Sequence, residues 1–398
     1  MKVAYYSPLP PSRSGIADYS ALLLPALESR MEVTTARPGR LRRAPKADIA
    51  LYHVGNDPEA HGWIVEALRR RPGVVVLHEL VLHHLVAGIT LARGDAAGYL
   101  DAMERDHGLA GRLLAYGVLD NRIPPLWETR PQDFPLAGEI LRLAQSLVVH
   151  SRYVEEGARA AGYDGPIARI PHPAWPCAAG PVRRETLIGC FGHLNESKRI
   201  PQLYAAFARL RERRPDARLL LVGGASRRLA DLDVPEGVTR EGYVDEDRLW
   251  SLMGACEVVV SLRAPTMGET SGTVIRALSI GRPLVVSDLG WFAELPDTVA
   301  VKIAPDEREV ETLAAELERL LGDDAERRKM SAAALELATS QHDLDRVAEL
   351  YAAALEEAAG GDVARDAVLR EVADAAADVG LRETGELAGR LREVGLDE

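Results

Sequence analysis

Short apolar runs recur along this chain at intervals too long for hairpins, and that spacing constrains the fold more than any other feature. Residues 2–7, 31–35, 49–53, 74–78, 146–150 and 167–170 have the length and the Val, Ile and Tyr content of buried strands. Between the first two, residues 16–28 carry apolar positions at helical spacing. Antiparallel neighbours can be joined by tight turns, but parallel neighbours need a long crossover, usually a helix. The rhythm therefore predicts an α/β domain whose parallel sheet is covered by helices.

Residues 171–184 break the rhythm. Pro171, Pro173, Pro176, Gly180 and Pro181 give them the composition of a linker. Alternation then resumes, with strands expected at 186–191, 218–222, 257–261 and 283–287 and helices at 199–211, 246–252 and 272–280. From about residue 307 the chain is helix-forming, and 343–358 reads as an amphipathic helix. In 361–398, Val363, Val368, Leu369, Val372, Val379 and Leu381 recur at roughly helical spacing, so a helical tail without visible chemistry is expected there. A length of 398 residues suits two cores rather than one. The expected organisation is a first α/β domain over 1–172, a linker over 173–184, a second α/β domain over 185–342, a helix over 343–360 and the tail.

Composition narrows the function classes. With 47% hydrophobic and 27% charged residues the chain reads as a soluble globular protein. A net charge of −12 argues against nucleic acid as the partner. Residues 1–7 alternate like a strand and break at Pro8, unlike a signal peptide, and no apolar run is long enough to span a bilayer. Cys177, Cys190 and Cys256 form no metal spacing and no disulfide framework, so the cytoplasm is the expected compartment. One basic run, Arg37, Arg40, Arg42, Arg43 and Lys46, raises peripheral contact with the inner membrane face.

Four segments have the residue types of a site, and all lie where an expected strand runs into a helix. Ligands of doubly wound folds bind at those strand ends. After the first strand, a proline-rich turn leads to Gly15, with Asp18 and Tyr19 just beyond. A glycine there lets backbone N–H groups approach a phosphate at the helix N-terminus, although an ordinary capped turn would read the same. His78 ends another strand and is followed by Glu79; a neutral imidazole there can bond a sugar hydroxyl. His83 and His84 follow, but no carboxylate at ligand spacing completes a metal set with His78. In the second half, His193, Lys198 and Arg199 sit before a helix whose dipole cations oppose, which points to a bound diphosphate. The most specific segment runs from Arg263 to Pro283. In it, Glu269 stands beside Thr270, Ser271, Gly272 and Thr273, a carboxylate next to hydroxyls and approachable N–H groups, suited to a sugar joined to a phosphate.

These segments resemble glycosyltransferase family 4, the group-1 glycosyltransferases of GT-B architecture. The similarity extends to about residue 358 and is strongest in 191–200, in 241–244 and in 263–296. The resemblance implies two facing Rossmann-like domains with a helical C-terminal extension, and a helix at 343–360 that crosses back to the first domain. It implies a nucleotide-sugar donor held mainly by the second domain and an acceptor held by the first. Lys198 and Gly15 then map to diphosphate contacts and His78 to a position near the donor sugar. Tyr243 and Val244 lie where the base is read. Donor-side residues are Gly15, His193, Lys198, Arg199, Tyr243, Val244, Thr270, Ser271, Gly272, Thr273 and Arg276; acceptor-side residues are Asp18, Tyr19, Glu79 and His83. The sequence departs from the family twice. An Arg that commonly precedes the Lys is replaced by His193 or Leu194. The second of two paired Glu is missing, its place taken by Arg276 or Ala277, which unsettles the usual ribose contact.

The expected reaction is retaining transfer of a hexose-type sugar, with no metal ion and no cofactor. Lys198, Arg199, the Gly15 loop and the N–H groups of 271–273 would stabilise the leaving diphosphate, while His78 and Glu269 orient the sugar. The acceptor is a sugar, a lipid-linked molecule or a small molecule. Two alternatives stay open: a nucleotide-sugar epimerase of the same architecture, and a non-catalytic nucleotide-sugar-binding protein.

Overall fold

A computed structural model describes residues 1–12, 14–39, 45–176, 186–360 and 372. Arg40, Arg42, Arg43, Cys177, most of the expected linker and all of the expected tail except Val372 lie outside the described residues.

The first domain comprises β1 (Lys2–Tyr6), α1 (Gly15–Glu28), β2 (Glu32–Thr35), β3 (Ile49–Val54), α2 (Pro58–Arg70), β4 (Gly73–Leu77), α3 (His83–Ile89), α4 (Ala96–Leu119), α5 (Leu126–Thr129), α6 (Gly138–Leu143), β5 (Ala144–Val149), α7 (Arg152–Ala160) and β6 (Ile167–Arg169). The second comprises β7 (Leu187–Phe191), α8 (Ile200–Arg213), β8 (Arg218–Val222), α9 (Arg227–Ala230), β9 (Val238–Glu241), α10 (Glu246–Ala255), β10 (Val258–Ser261), α11 (Gly272–Ser279), β11 (Leu284–Ser287), β12 (Ala300–Ile303), α12 (Glu309–Gly322) and α13 (Asp324–Ser340). Last comes α14 (Leu344–Ala359).

Each domain has a six-stranded parallel sheet, ordered β2-β1-β3-β4-β5-β6 in the first and β12-β11-β10-β7-β8-β9 in the second. Every residue of β3 and β4 is buried, as a strand covered on both faces requires. Ser14, Asp57, Ser151, Asp245 and Ser271 each accept a backbone N–H in the first turn of the following helix. Such caps contribute about 1 kcal/mol apiece.

Strand order decides where a ligand can sit. The crossover direction reverses between β1 and β3 in one sheet and between β7 and β10 in the other. A reversal leaves a crevice at the carboxyl ends of the strands. The loops leaving these strands include those carrying Gly15, Lys198 and Glu269.

Two features differ from the sequence expectation. β9 and β12 were not foreseen: each has only four residues, β9 is mostly polar and β12 carries Lys302. Between β4 and β5 the chain also builds α3–α6, with a satellite core that includes Tyr99, Met103, Ala115 and Phe134. α14 returns to the first domain, where Val347, Tyr351 and Leu355 pack with Tyr5, Tyr19 and Leu23. Arg30 pairs with Asp345 at 3.4 Å and Glu349 at 3.6 Å on the rim of that contact. Val347 and Leu355 are 0% exposed, and burial of each such side chain contributes roughly 1.5–3 kcal/mol. Among the described residues no helix is long and apolar enough to cross a membrane.

Candidate active site

The first domain's wall is a row of histidines. His53, His78, His150 and His172 stand at or just beyond the carboxyl ends of β3, β4, β5 and β6, which are neighbours in the sheet. Tyr19, on α1, packs against all of them, with ring centroids 5.7, 4.9, 5.3 and 4.7 Å away. Its hydroxyl lies 2.6 Å from that of Tyr351 on α14, so the C-terminal helix braces the cluster. His150 Nδ1 donates to the Ile170 carbonyl at 2.8 Å and His61 Nδ1 to the His53 carbonyl at 3.0 Å. His53 Nδ1 and His78 Nε2 are 2.9 Å apart. Burial, reinforced by the neighbouring imidazoles, holds His53, His78 and His172 well below the usual histidine range; His150 falls to about 4. The rings are therefore neutral at pH 7.

The second domain's wall is the loop between β10 and α11. Glu269 Oε2 accepts from Thr266 Oγ1 at 2.9 Å and from the Met267 N–H at 2.7 Å. Its other oxygen lies 2.6 Å from Arg263 Nε in an ionic contact outside hydrogen-bond alignment. Arg263 in turn donates to Ser197 Oγ at 2.8 Å. Lys198 lies behind this wall, 4% exposed, with Nζ donating to the Phe191 carbonyl. Burial lowers its pKa to about 8. Gly192 has φ +92°, and a Cβ there would approach Thr273 Oγ1 to 3.0 Å and Lys198 Nζ to 3.2 Å, so Lys198 and Thr273 converge on it.

The walls meet around two cavities. One, of about 190 Å³, is lined by Ser14, Gly15, His78, His172, Thr270 and Gly272, among others. The other, of about 530 Å³, is lined by His84, Trp127, Glu196, Ser197, Arg263 and Met267, among others. Asn56, Glu79 and Glu269 border both. The smaller cavity receives the N-termini of α1 and α11, one from each domain, whose dipoles favour an anion. A Cβ on Gly15 would meet no protein atom within 4 Å, so the space beside it is open. Thr270, which lines this cavity, has its Oγ1 buried without a partner. Burial, and then the Glu269 carboxylate, push Glu79 up to about 8, so it is mostly protonated at neutral pH and able to donate.

The cleft is closed by bonds between the domains. The Met267 carbonyl accepts from the N–H groups of Leu80 and Val81 at 2.8 and 3.0 Å. Glu294 caps α7 from the other domain by accepting from the N–H groups of Arg152 and Tyr153.

Several expected site residues stand elsewhere. His83 is fully buried and uses both nitrogens inside the first domain, on the Phe134 carbonyl at 2.8 Å and the Tyr99 hydroxyl at 2.9 Å; it ties α3 to α4 and to the loop before α6 and does not face an acceptor. Tyr19, 1% exposed, supports the histidines, and its hydroxyl is engaged by Tyr351. Arg199 has φ +55° and turns its guanidinium onto the buried Glu309 of α12, away from Lys198. Arg276 stacks 3.8 Å from the Trp175 ring and pairs with Asp18 at 3.0 Å, which makes the two residues a bridge between domains. His193 and Tyr243 are exposed and Val244 is half-buried, all outside the linings of both cavities. Ser271 caps α11. The sequence reading missed the partnership of Arg263 with Glu269, and it missed His53, His150, His172, Asn56 and Trp127. The signal for the histidines was their shared place at strand ends.

Residues 185–323 match the family model described as glycosyl transferases group 1. That match covers most of the second domain. No curated protein matches the sequence. Among solved structures, Anabaena HepE in complex with UDP and glucose is similar at 17% identity and TM-score 0.60, over 90% of this chain and 100% of that one. Sucrose-phosphate synthase from Thermosynechococcus elongatus is similar at 17% identity and TM-score 0.58, over 90% and 98%. AviGT4, a glycosyltransferase involved in avilamycin A biosynthesis, is similar at 16% identity and TM-score 0.53, over 91% and 98%. At these identities the likeness is one of fold, and the fold is GT-B: two facing Rossmann-like domains followed by a helix that returns to the first.

Proposed function

We propose that this chain is a retaining glycosyltransferase that moves a hexose-type sugar from a nucleotide-sugar to an acceptor hydroxyl without a divalent ion. The observation that carries this reading is the meeting of the α1 and α11 N-termini at one cavity bordered by His78, Glu79 and Glu269. That arrangement suits a diphosphate joined to a polyhydroxylated ring. HepE, whose fold is shared, is also solved with UDP-glucose, which favours a uridine nucleotide among the donors to test first.

In the proposed reaction the bond from the anomeric carbon to the phosphate oxygen breaks as the acceptor oxygen bonds to the same face. The acceptor proton passes to the leaving phosphate, so no protein base is needed. Negative charge on that phosphate is stabilised by the two helix N-termini and by Lys198, with Arg263 supplying the cation first assigned to Arg199. Each oriented donor of this kind contributes roughly 3 kcal/mol in the transition state. His78 and Glu79 bond sugar hydroxyls, and Glu269 holds Arg263 and its own loop in place. These fixed positive groups are what supports metal independence.

The same carboxylates and histidine would also serve an epimerase, so the test is product analysis. Purified protein is incubated with a panel of nucleotide-sugars, with and without mixed sugar acceptors, and with EDTA. Acceptor-dependent release of the nucleotide, an α-linked product from an α-linked donor and unchanged rates in EDTA are expected. An epimerised donor formed without acceptor would overturn the transferase reading. Loss of activity in EDTA restored by Mg²⁺ would overturn the metal-free one.

A further inference from the structure

The histidine row contains one direct imidazole–imidazole contact, His53 Nδ1 to His78 Nε2 at 2.9 Å. Two neutral rings can share such a bond only if one nitrogen carries the proton and the other offers a lone pair. The two choices have different consequences at the far sides of the rings. If His78 Nε2 donates, His53 must be protonated at Nε2. That atom is enclosed in the protein and has no partner, so a buried N–H would be orphaned. If His53 Nδ1 donates, His53 Nε2 carries only a lone pair. Orphaned buried donors are rarer than under-satisfied acceptors, and leaving a group unmade costs its full desolvation. The cluster already holds a second example of the cheaper arrangement. His150 donates through Nδ1 to the Ile170 carbonyl, which leaves its enclosed Nε2 as an unpartnered lone pair.

We infer that His53 is a positioning residue for His78, donating Nδ1–H to His78 Nε2 and thereby fixing His78 as the Nδ1–H tautomer, which presents a hydrogen-bond donor to the cavity. The rings are held for this task. His53 is fully buried, packed 4.7 Å from Tyr5 and stacked on His78 at 5.2 Å and 29°. Tyr19 meets His78 edge-on at 4.9 Å and 83°, and His150 lies 5.1 Å from it on another side. With Nε2 engaged by His53, Nδ1 is the ring nitrogen left for the cavity that His78 lines. A donor there bonds a sugar hydroxyl oxygen or ring oxygen and offers no lone pair to abstract a proton. The consequence for turnover rests on the proposed transferase reading; the tautomer does not.

Nitrogen-15 NMR of histidine-labelled, ligand-free protein near pH 7 tests the assignment, with His78→Gln and His53→Phe spectra used to identify the two rings. The expected result is a pyrrole-type Nδ1 and a pyridine-type Nε2 for His78, and the same pattern for His53. A protonated Nε2 on His78 in the wild type overturns the proposal, and this measurement needs no variant to be active. His53→Phe keeps a ring but removes the donor, so the single tautomer of His78 should give way to a mixture. His53→Asn places an amide N–H near the lost Nδ1–H and should restore it. With a donor in hand, kcat should fall roughly tenfold in His53→Phe, with less change in KM, and recover in His53→Asn. A His78 tautomer unchanged in a folded His53→Phe would also overturn the proposal. Absence of transfer in the wild type with every donor, alongside the expected spectrum, would instead count against the transferase reading alone.

Discussion

Replacing Lys198 by Met should stabilise the ligand-free protein while damaging its proposed donor site. Lys198 is 4% exposed, and its amine donates to one backbone carbonyl, that of Phe191. Burial lowers its pKa from 10.5 to about 8. At pH 7 the amine is charged in both folded and unfolded chains, so the lowered folded-state pKa makes its burial cost on the order of 3 kcal/mol. Methionine fills similar space without the charge but leaves the Phe191 carbonyl unpaired, which costs about 1–3 kcal/mol. The net gain at pH 7 is then about 1 kcal/mol, equivalent to a rise in Tm of about 2–4 °C for a domain of this size.

The pH dependence is the sharper measurement. Between pH 8 and 10.5 the folded lysine has lost its proton while the unfolded one still holds it. The unfolded state binds more protons there, so wild-type stability rises with pH through that window relative to the variant. By pH 10 the roughly 1 kcal/mol advantage of Met should have reversed, leaving the wild type the more stable protein by on the order of 1–2 kcal/mol. Urea unfolding of both proteins at pH 7 and pH 10 reads the difference directly. An advantage that stays constant or grows with pH would refute the buried-cation argument. With a nucleoside diphosphate at about 100 times its Kd, the wild type should gain roughly 2.7 kcal/mol, and Lys198→Met markedly less.

Glu269→Gln should fold normally and lower kcat by roughly 100-fold at saturating donor, because the neutral amide can no longer hold Arg263 as an ion pair beside the leaving phosphate; wild-type turnover would remove Glu269 from the site. Arg37 and Lys46 are exposed and belong to the basic run around residues 37–46, yet that run shows no apolar insertion face in the sequence. The wild type is therefore expected to remain in the soluble fraction when mixed with anionic vesicles at low salt. Flotation abolished by Gln at the basic positions would place the protein on the bilayer, where each such residue contributes roughly 1 kcal/mol.

Much of this molecule was legible in its sequence because the governing signals are local. Apolar runs such as 49–53 and 74–78 are continuous because both faces of an inner strand are covered, and they fell within a residue or two of β3 and β4. β9 and β12 went unread although the edge strands β2 and β6 were found: β9 is mostly polar, and β12 is only four residues long with Lys302 inside it. Gly15, His78 and Glu269 could be picked out because ligands in parallel sheets gather at strand ends, and all three line one cavity. The partners of those residues were not legible. His83 and His78 are near in sequence and alike in type, yet one ring is turned into the helical insert and the other toward the cleft. Arg199 follows Lys198 directly, but a left-handed backbone turn sends it to Glu309, 110 residues on, and leaves Arg263 to meet Glu269. The sequence by itself determined the periodic elements, their caps and the strand-end positions, since those follow from neighbours within a few residues. Only the tertiary structure decided which imidazole touches which, which arginine faces the cleft and that α14 braces Tyr19. Those contacts depend on strand order and crossover path, which bring together side chains as far apart in the chain as Tyr19 and Tyr351.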